Sequence, residues 1–284
     1  MTQPSPTGAP QRFAFYDLDG TLLPWDTQML FCHRILKRQG WRRLLLLPFF
    51  LTAPLAVPRI LRSRTLKRIF LCYLWRMPRA TLENEARAFA REVAQSHVWP
   101  EMRRELERHR TAGRTLVINT ASPDFYATAI ARELGFDHCF ATRVPIGDRV
   151  PFLPPIDGPN NKRSAKIDAM RNTGLIAADT PLPLADSWAY TDSIVDLPLL
   201  ACAAHGALVH PKPKLAQHPA AAHAETRLPT PHPSPLHRLT TTLLLILGLG
   251  PAPTLPHPDP NTPEPTADGD NKPQDATPSQ DHKS

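Results

Sequence analysis

The sequence has little that would suit a secreted or zinc-binding protein. Its four cysteines, Cys32, Cys72, Cys139 and Cys202, stand far apart and match no zinc-ligand spacing. We therefore expect no disulfides and a cytoplasmic location. The first residues, MTQPSPTGAPQR, lack the apolar segment of a signal peptide, and we predict that 1–11 form a disordered N-terminus.

Acidic residues are missing from one long stretch. Residues 31–80 contain twelve Lys and Arg but no Asp or Glu, so the other residues carry a net charge of −5 although the chain carries +7. This local basic patch favours a polyanionic surface such as anionic lipid or nucleic acid. Leucines rather than aromatic stacking residues alternate with these cations, so we expect no nucleic acid partner.

Short apolar segments alternate with helix signals in much of the chain. Strands are predicted over 12–17, 114–120, 138–142, 187–191 and 207–210. Helices are predicted over about 122–134, with Ser122 as N-cap, and over 162–173. This alternation predicts an α/β fold with a Rossmann-like, doubly wound parallel sheet.

Two segments do not follow this alternation. Residues 22–111 have the pattern of consecutive helices, which predicts an α-helical cap inserted into a core made of 12–21 and 112–212. Residues 213–284 are rich in Pro, His and Thr, and we predict a largely disordered tail. An apolar island at 239–250 is too short to span a bilayer, which needs about 20 residues. It is either a short interfacial helix or a poorly ordered apolar patch.

Polar side chains follow several predicted strands at their carboxyl ends. They are Asp17 and Asp19 in FYDLDGTLL, Thr120 in INTASP and Asp192 in YTDSIVDLPLL. Because the carboxyl ends of parallel strands share one edge, these side chains are expected to converge. Asp196 lies on the following turn, and Lys166 is expected to reach over from a helix, with Lys162 as its alternative.

Such a group of carboxylates needs cations to compensate its charge. Oxygen ligands of this kind suit Mg²⁺, so Mg²⁺ is the predicted cofactor. The set then fits phosphoryl transfer, in which one Asp attacks phosphorus and another protonates the leaving oxygen and later activates water. A metal, a lysine and a hydroxyl neutralise the charge of the transferred group.

The ordered set resembles the haloacid dehalogenase (HAD) superfamily of phosphatases, in the subfamily (IB) that contains phosphoserine phosphatase. YDLDGTLL, INTASP, SAKIDAM and YTDSIVDLPLL resemble its four motifs, over about 12–212. The resemblance implies that Asp17 is the nucleophile and a Mg²⁺ ligand, and that Asp19 is the general acid/base and binds Mg²⁺ through its carbonyl. It further implies phosphate binding by Thr120 and Lys166, a metal ligand in Asp192, and support from Asp196 and Ser193.

The chain departs from phosphoserine phosphatase in two places. Ala121-Ser122-Pro123 replace the serine- and glycine-containing sequence that is typical of the second motif. The glutamate that helps to bind substrate in that family is also missing, because Asp26 is the sole acid between Gly20 and Glu83. Both differences argue against recognition of a small zwitterion.

The cap resembles that of the C-type phosphatidylglycerophosphatases, bacterial HAD enzymes of the inner membrane. Residues 44–61 contain a single charge and are flanked by the candidate membrane- or substrate-binding residues Arg42, Arg43, Arg62 and Arg64. The segment is either an interfacial hairpin or buried cap core. We expect a phosphomonoester substrate such as phosphatidylglycerophosphate, contact with anionic phospholipid, and a peripheral position on the cytoplasmic face of the inner membrane. The alternatives are a soluble small-metabolite phosphatase and a non-catalytic basic binding protein.

Overall fold

In the described part of the chain, six parallel strands form one sheet in the order β3-β2-β1-β4-β5-β6. The structure is a computed structural model and describes residues 11–56, 62–227 and 234–255. The strands are β1 (Phe13–Tyr16), β2 (Thr115–Pro123), β3 (His138–Thr142), β4 (Leu184–Thr191), β5 (Ala203–Val209) and β6 (Glu225–Arg227). The predicted α/β fold with a parallel sheet is confirmed, and β6 is an edge strand that the sequence did not predict.

Strand β1 lies at the centre because its four residues are apolar and fully buried on both faces. It pairs with β2 on one side and with β4 on the other, so that Tyr16 lies beside both Ile118 and Tyr190. The chain order of the strands reverses between β1 and β4. In open α/β sheets, ligands bind at the carboxyl ends of the strands beside such a reversal.

Helices pack against the sheet and make up most of the insertion between β1 and β2. They are α1 (Thr27–Arg38), α2 (Leu47–Thr52), α3 (Ser63–Phe70), α4 (Arg79–Ser96), α5 (Pro100–Thr111), α6 (Asp124–Glu133), α7 (Ala165–Asn172), α8 (Leu197–Cys202), α9 (Pro213–Ala216) and α10 (Pro235–Leu247). Helices α1 to α5 lie within the predicted insertion 22–111. Phe31 of α1 contacts the rings of Phe89 in α4 and Tyr126 in α6, so the insertion shares its apolar core with the sheet layer.

The leucine-rich segment is described as far as residue 56, and the remainder of the predicted hairpin, 57–61, lies outside the described residues. Short helical turns at Gly40–Leu46 and Ala53–Ala56 flank α2. Within 11–56, 62–227 and 234–255, no helix combines the length and apolarity that a membrane crossing requires.

The position of Arg42 does not fit the role predicted for it. Its side chain is 5% exposed and donates to the carbonyl oxygens of Tyr73 at 2.7 Å and Trp75 at 2.9 Å. A buried guanidinium needs such acceptors, because an unpaired charge away from water is costly. Arg42 is therefore a structural residue of the insertion, and its assignment to a membrane- or substrate-binding surface was wrong.

The predicted tail 213–284 is partly folded, which corrects the prediction for the described residues. Residues 213–227 form α9 and β6, and residues 234–255 include α10, which packs against α1. Leu245 and Ile246 are buried there. Gly248 ends α10 with a φ of +63°, and a Cβ at this position would lie 2.5 Å from the Cβ of Leu36. Residues 1–10, 228–233 and 256–284 lie outside the described residues.

Leu245→Ala tests the packing of α10. We expect it to lower the free energy of unfolding by about 3 kcal/mol, because it removes a buried side chain and leaves a cavity. Leu244 on the same helix is 45% exposed, so Leu244→Ala should change stability by less than about 0.5 kcal/mol. Urea denaturation of the full chain measures both, and equally small effects would show that α10 does not pack on α1.

Candidate active site

A cleft of about 200 Å³ opens at the carboxyl edge of the sheet, beside β1, β2 and β4. Asp17 follows β1 directly, and its N–H donates to the Tyr190 carbonyl at 3.1 Å. All the strand-end and helix residues predicted for catalysis line this cleft: Asp17, Asp19, Thr120, Lys166, Asp192, Ser193 and Asp196. The predicted convergence at one edge of the sheet is therefore observed.

Lys166 is the centre of charge in this cleft. Its ammonium is 2.9 Å from Asp17 Oδ1 and 2.8 Å from Asp196 Oδ1, and its side chain is 1% exposed. Burial alone would lower the pKa of Lys166, but the charges of Asp17 and Asp196 raise it above its ordinary value. The lysine is thus held as a cation between two carboxylates. This contact favours Lys166 over Lys162, which lines the cleft but contacts no carboxylate among the described residues.

Two asparagines fix Lys166 relative to β2. Asn119 donates from Nδ2 to the carbonyl of Lys166 at 2.9 Å and accepts from Asn161 Nδ2 at 2.7 Å. Asn161 also donates to the carbonyl of Thr120 at 3.0 Å. Because all three side chains are buried, these bonds position the lysine and the threonine together.

Asp19 has different surroundings from Asp17. Its carboxylate accepts from the Thr27 N–H at 2.7 Å and from Ser122 Oγ at 2.6 Å, and Ser122 also contacts Thr27 Oγ1 at 3.0 Å. Burial, followed by the charge of Asp26, raises the pKa of Asp19 to about 7. A carboxyl group with a pKa near neutrality can both donate and accept a proton at the pH of the cell.

Asp192 lies against the turn that follows Asp19. Gly20 there has a φ of +83°, and a Cβ on it would lie 2.4 Å from Asp192 Oδ2. The same Oδ2 accepts from Lys212 Nζ at 2.6 Å, whereas Oδ1 is buried and has no hydrogen-bond partner within the described residues. Burial raises the pKa of Asp192 above its ordinary value.

The carboxylates of the cleft provide possible ligands for Mg²⁺. Within the described ranges, no three His, Cys, Asp or Glu side chains form a complete metal-binding group. Asp17 and Asp192 nevertheless line the same cleft, and the buried Asp192 Oδ1 lacks a partner. Two carboxylates supplemented by a main-chain oxygen such as that of Asp19 are hard donors that suit a hydrated Mg²⁺. The residues therefore fit this ion.

Sequence reasoning missed several residues of the cleft. Ser122 was interpreted as a helix cap, but α6 begins at Asp124 with Pro123 as its N-cap, and Ser122 donates to Asp19 instead. Lys67 and Lys212 also line the cleft. No local signal marks them, because they come from α3 and from the loop after β5, far in sequence from the motifs.

The chain belongs to the haloacid dehalogenase-like hydrolase family, whose model matches residues 14–201. It shares 29% identity over 221 residues with the protein named "Probable phosphatase Rv3661" of Mycobacterium tuberculosis, covering 70% of this chain and 68% of that one. The predicted enzyme class, an HAD-type phosphatase, is confirmed. Membership of the family also confirms the predicted resemblance to the HAD superfamily.

Solved structures show the same fold. A Bordetella pertussis protein of unknown function has a TM-score of 0.63 and 24% identity, over 77% of this chain and 98% of that one. A protein titled probable phosphoserine phosphatase from Vibrio cholerae has a TM-score of 0.54 and 16% identity, over 84% of this chain and 67% of that one. Because both sequence identities are low, these two comparisons show a shared fold and do not assign a substrate.

Gly20→Ala tests the close approach of Asp192. We expect a loss of about 1–2 kcal/mol of unfolding free energy from the positive φ, and at least a tenfold loss of hydrolysis because the new Cβ displaces the Asp192 carboxylate. A Cβ on Gly147 would meet no atom within 4 Å, so Gly147→Ala is the control. Thermal unfolding and phosphate release measure the effects. Full activity in Gly20→Ala would contradict the placement of Asp192.

Proposed function

We propose that this hydrolase cleaves a phosphate monoester through a covalent phosphate on Asp17, and that its substrate is a membrane lipid phosphate such as phosphatidylglycerophosphate. One observation supports the catalytic part of this proposal. The buried Lys166 ammonium contacts both Asp17 and Asp196, so Asp17 lies beside a fixed positive charge at the floor of the cleft. A phosphoryl group that reaches Asp17 meets this charge.

The reaction follows from the positions of Asp17 and Asp19. An oxygen of Asp17 attacks phosphorus, the P–O bond to the leaving alcohol breaks, and Asp19 gives its proton to the departing oxygen. Asp19 then takes a proton from water, whose oxygen attacks phosphorus and frees Asp17 and inorganic phosphate. The Asp19 pKa of about 7 suits both directions of proton transfer.

Thr120, Asp192 and Lys166 support these steps. Thr120 lies at the cleft and its Oγ1 accepts from the Ser122 N–H at 3.1 Å, which leaves its own hydroxyl proton available to a phosphoryl oxygen. Asp17, Asp192 and the Asp19 carbonyl would hold Mg²⁺. When bound, the ion neutralises charge on the transferred group.

The leucine-rich segment supports a lipid substrate. Leu44 is 78% exposed, Leu47 59% and Leu51 69%, whereas Leu46 is buried in the core, so one side of the described part of this segment faces solvent. Arg62 and Arg64 are exposed beyond it. Exposed leucines beside arginines are suited to the boundary between acyl chains and phosphate headgroups. The proposal places the enzyme on the cytoplasmic face of the inner membrane as a peripheral protein.

Helix α10 extends this apolar surface. Leu239, Leu243 and Leu247 are at least 37% exposed on one side of the helix, whereas Leu245 is buried. Arg43 donates to the carbonyl of Leu247 at 2.7 Å. The end of α10 therefore lies beside the start of the leucine-rich segment, which favours a single apolar surface that includes the predicted island 239–250.

A soluble phosphomonoester is the second candidate substrate. It is favoured by the structural likeness to a protein titled probable phosphoserine phosphatase. The Ala121-Ser122 sequence at the second motif and the exposed leucines argue against it, because a soluble substrate gives no reason for an apolar surface of this extent.

Asp17→Asn tests the nucleophile. The substitution keeps the shape of the side chain and removes its nucleophilic charge. The rate of phosphate release with Mg²⁺ should therefore fall at least about a thousandfold. A cooperative thermal unfolding transition should show that the variant is still folded. Asp179→Asn changes an exposed acid outside the cleft and should leave the rate unchanged. Activity of Asp17→Asn near that of the wild type would refute the proposed reaction.

Leu44→Ser with Leu51→Ser tests membrane binding. Because each leucine contributes apolar area to the acyl boundary, the double variant should co-sediment with vesicles containing anionic phospholipid at least about tenfold more weakly. Leu182, 38% exposed before β4, provides the control Leu182→Ser. Hydrolysis of a soluble phosphomonoester should be unaffected by either change. Equal co-sedimentation of the double variant and the wild type would exclude this surface.

A further inference from the structure

Among the described residues, four lysines line the active-site cleft, and they fall into two groups. Lys166 and Lys212 are paired with the catalytic and metal-site carboxylates described above. Lys67 and Lys162 line the same cleft. In the part of the chain that the structure describes, no carboxylate lies within ion-pairing distance of either ammonium. Neither lysine has a role in the proposed reaction.

Lys67 is held by neutral oxygens. Its ammonium donates to the carbonyl of Ala121 and to Asn160 Oδ1, the latter at 2.9 Å. Burial, and next the charge of Lys162, lower the pKa of Lys67 to about 8, so the side chain stays mostly protonated at pH 7. An ammonium has three N–H donors. Two are used by these acceptors, which leaves the third for a ligand in the cleft.

Lys162 places a second positive charge nearby. It lies in the loop before α7 and is exposed at the cleft. Two neighbouring ammonium groups repel each other, and an anion bound between them removes that repulsion. The pair therefore has the charge and the free donors of an anion-binding site.

Asp26 and Asp19 are the acids whose charges act on Lys67, and neither forms an ion pair with it within the described residues. Asp19 accepts hydrogen bonds from Thr27 and Ser122, as described above, and Asp26 has partners in α1. The Asp26 Oδ1 accepts from the N–H groups of Gln28 at 2.8 Å and Met29 at 3.2 Å, in the first turn of α1. Asp26 raises the pKa of Lys67, but less than burial lowers it. This acid therefore caps a helix and leaves Lys67 unpaired.

We infer that Lys67 and Lys162 form a second anion subsite, which binds a phosphodiester on the organic part of the substrate. The inference rests on the proposed function, in which Asp17, Thr120 and Lys166 hold the phosphate that is hydrolysed. It narrows the substrate class to phosphomonoesters that carry a second phosphate group. Charge-assisted hydrogen bonds from two lysines provide this selectivity.

Two soluble substrates separate this recognition from membrane binding. Glycerol 3-phosphate has one phosphate monoester, whereas deacylated phosphatidylglycerophosphate has the same monoester and a phosphodiester. The ratio of their kcat/KM values is measured by phosphate release in the wild type and in Lys67→Gln, Lys67→Arg and Lys162→Gln. Lys37→Gln, at an exposed lysine of α1 outside the cleft, is the control.

The wild type should prefer the substrate with two phosphates. Lys67→Gln should lower the ratio about tenfold and Lys162→Gln about threefold, because each loses a charged donor. Lys67→Arg should keep most of the preference, and Lys37→Gln all of it. An unchanged ratio in both Lys67→Gln and Lys162→Gln would overturn the subsite alone. If the wild type released no phosphate from either substrate, the proposed function would fail and the subsite with it.

Discussion

The contact of the buried Lys166 ammonium with Asp17 and Asp196 is the constraint on which the site depends. Two neighbouring carboxylates repel each other, and the lysine between them places a positive charge that offsets this repulsion away from water. In other proteins, removing one partner of a buried ion pair lowers the free energy of unfolding by about 3–5 kcal/mol. The fold must therefore bring β1, α7 and the turn after β4 together with little freedom.

The sheet and its loops meet that requirement. Asn119 and Asn161 connect β2 to the helix of Lys166, and Gly20 lets the turn after β1 approach Asp192. Asp19 is left in a separate environment, beside hydroxyl groups, with its pKa raised to about 7 by burial. The two acids of one short motif thus have different surroundings: Asp17 contacts the Lys166 ammonium, and the raised pKa of Asp19 suits the proposed proton carrier.

The sequence predicts the parallel sheet and the converging acids because both follow from local signals: apolar strands, and carboxylates at their ends. It could not choose between Lys166 and Lys162, because the predicted helix 162–173 would place both on one face. In the structure, α7 begins at Ala165 and only Lys166 contacts the carboxylates. Leu245 lies in the apolar island 239–250, for which the sequence left an interfacial helix and a poorly ordered patch as alternatives. Its packing against α1 could not be predicted, because α1 is about 200 residues away in the chain. Arg42 resembled a surface cation, and its carbonyl acceptors come from a distant turn.

Identification of the phosphorylated residue tests the account most directly. The wild-type enzyme is mixed with substrate and Mg²⁺, quenched in acid within milliseconds, digested, and analysed by mass spectrometry. The account predicts a phosphate on the peptide that contains FYDLDGTLL, located at Asp17, that forms before product and decays as inorganic phosphate appears. Phosphate on another residue, or turnover with no phosphorylated peptide at any time, would contradict it.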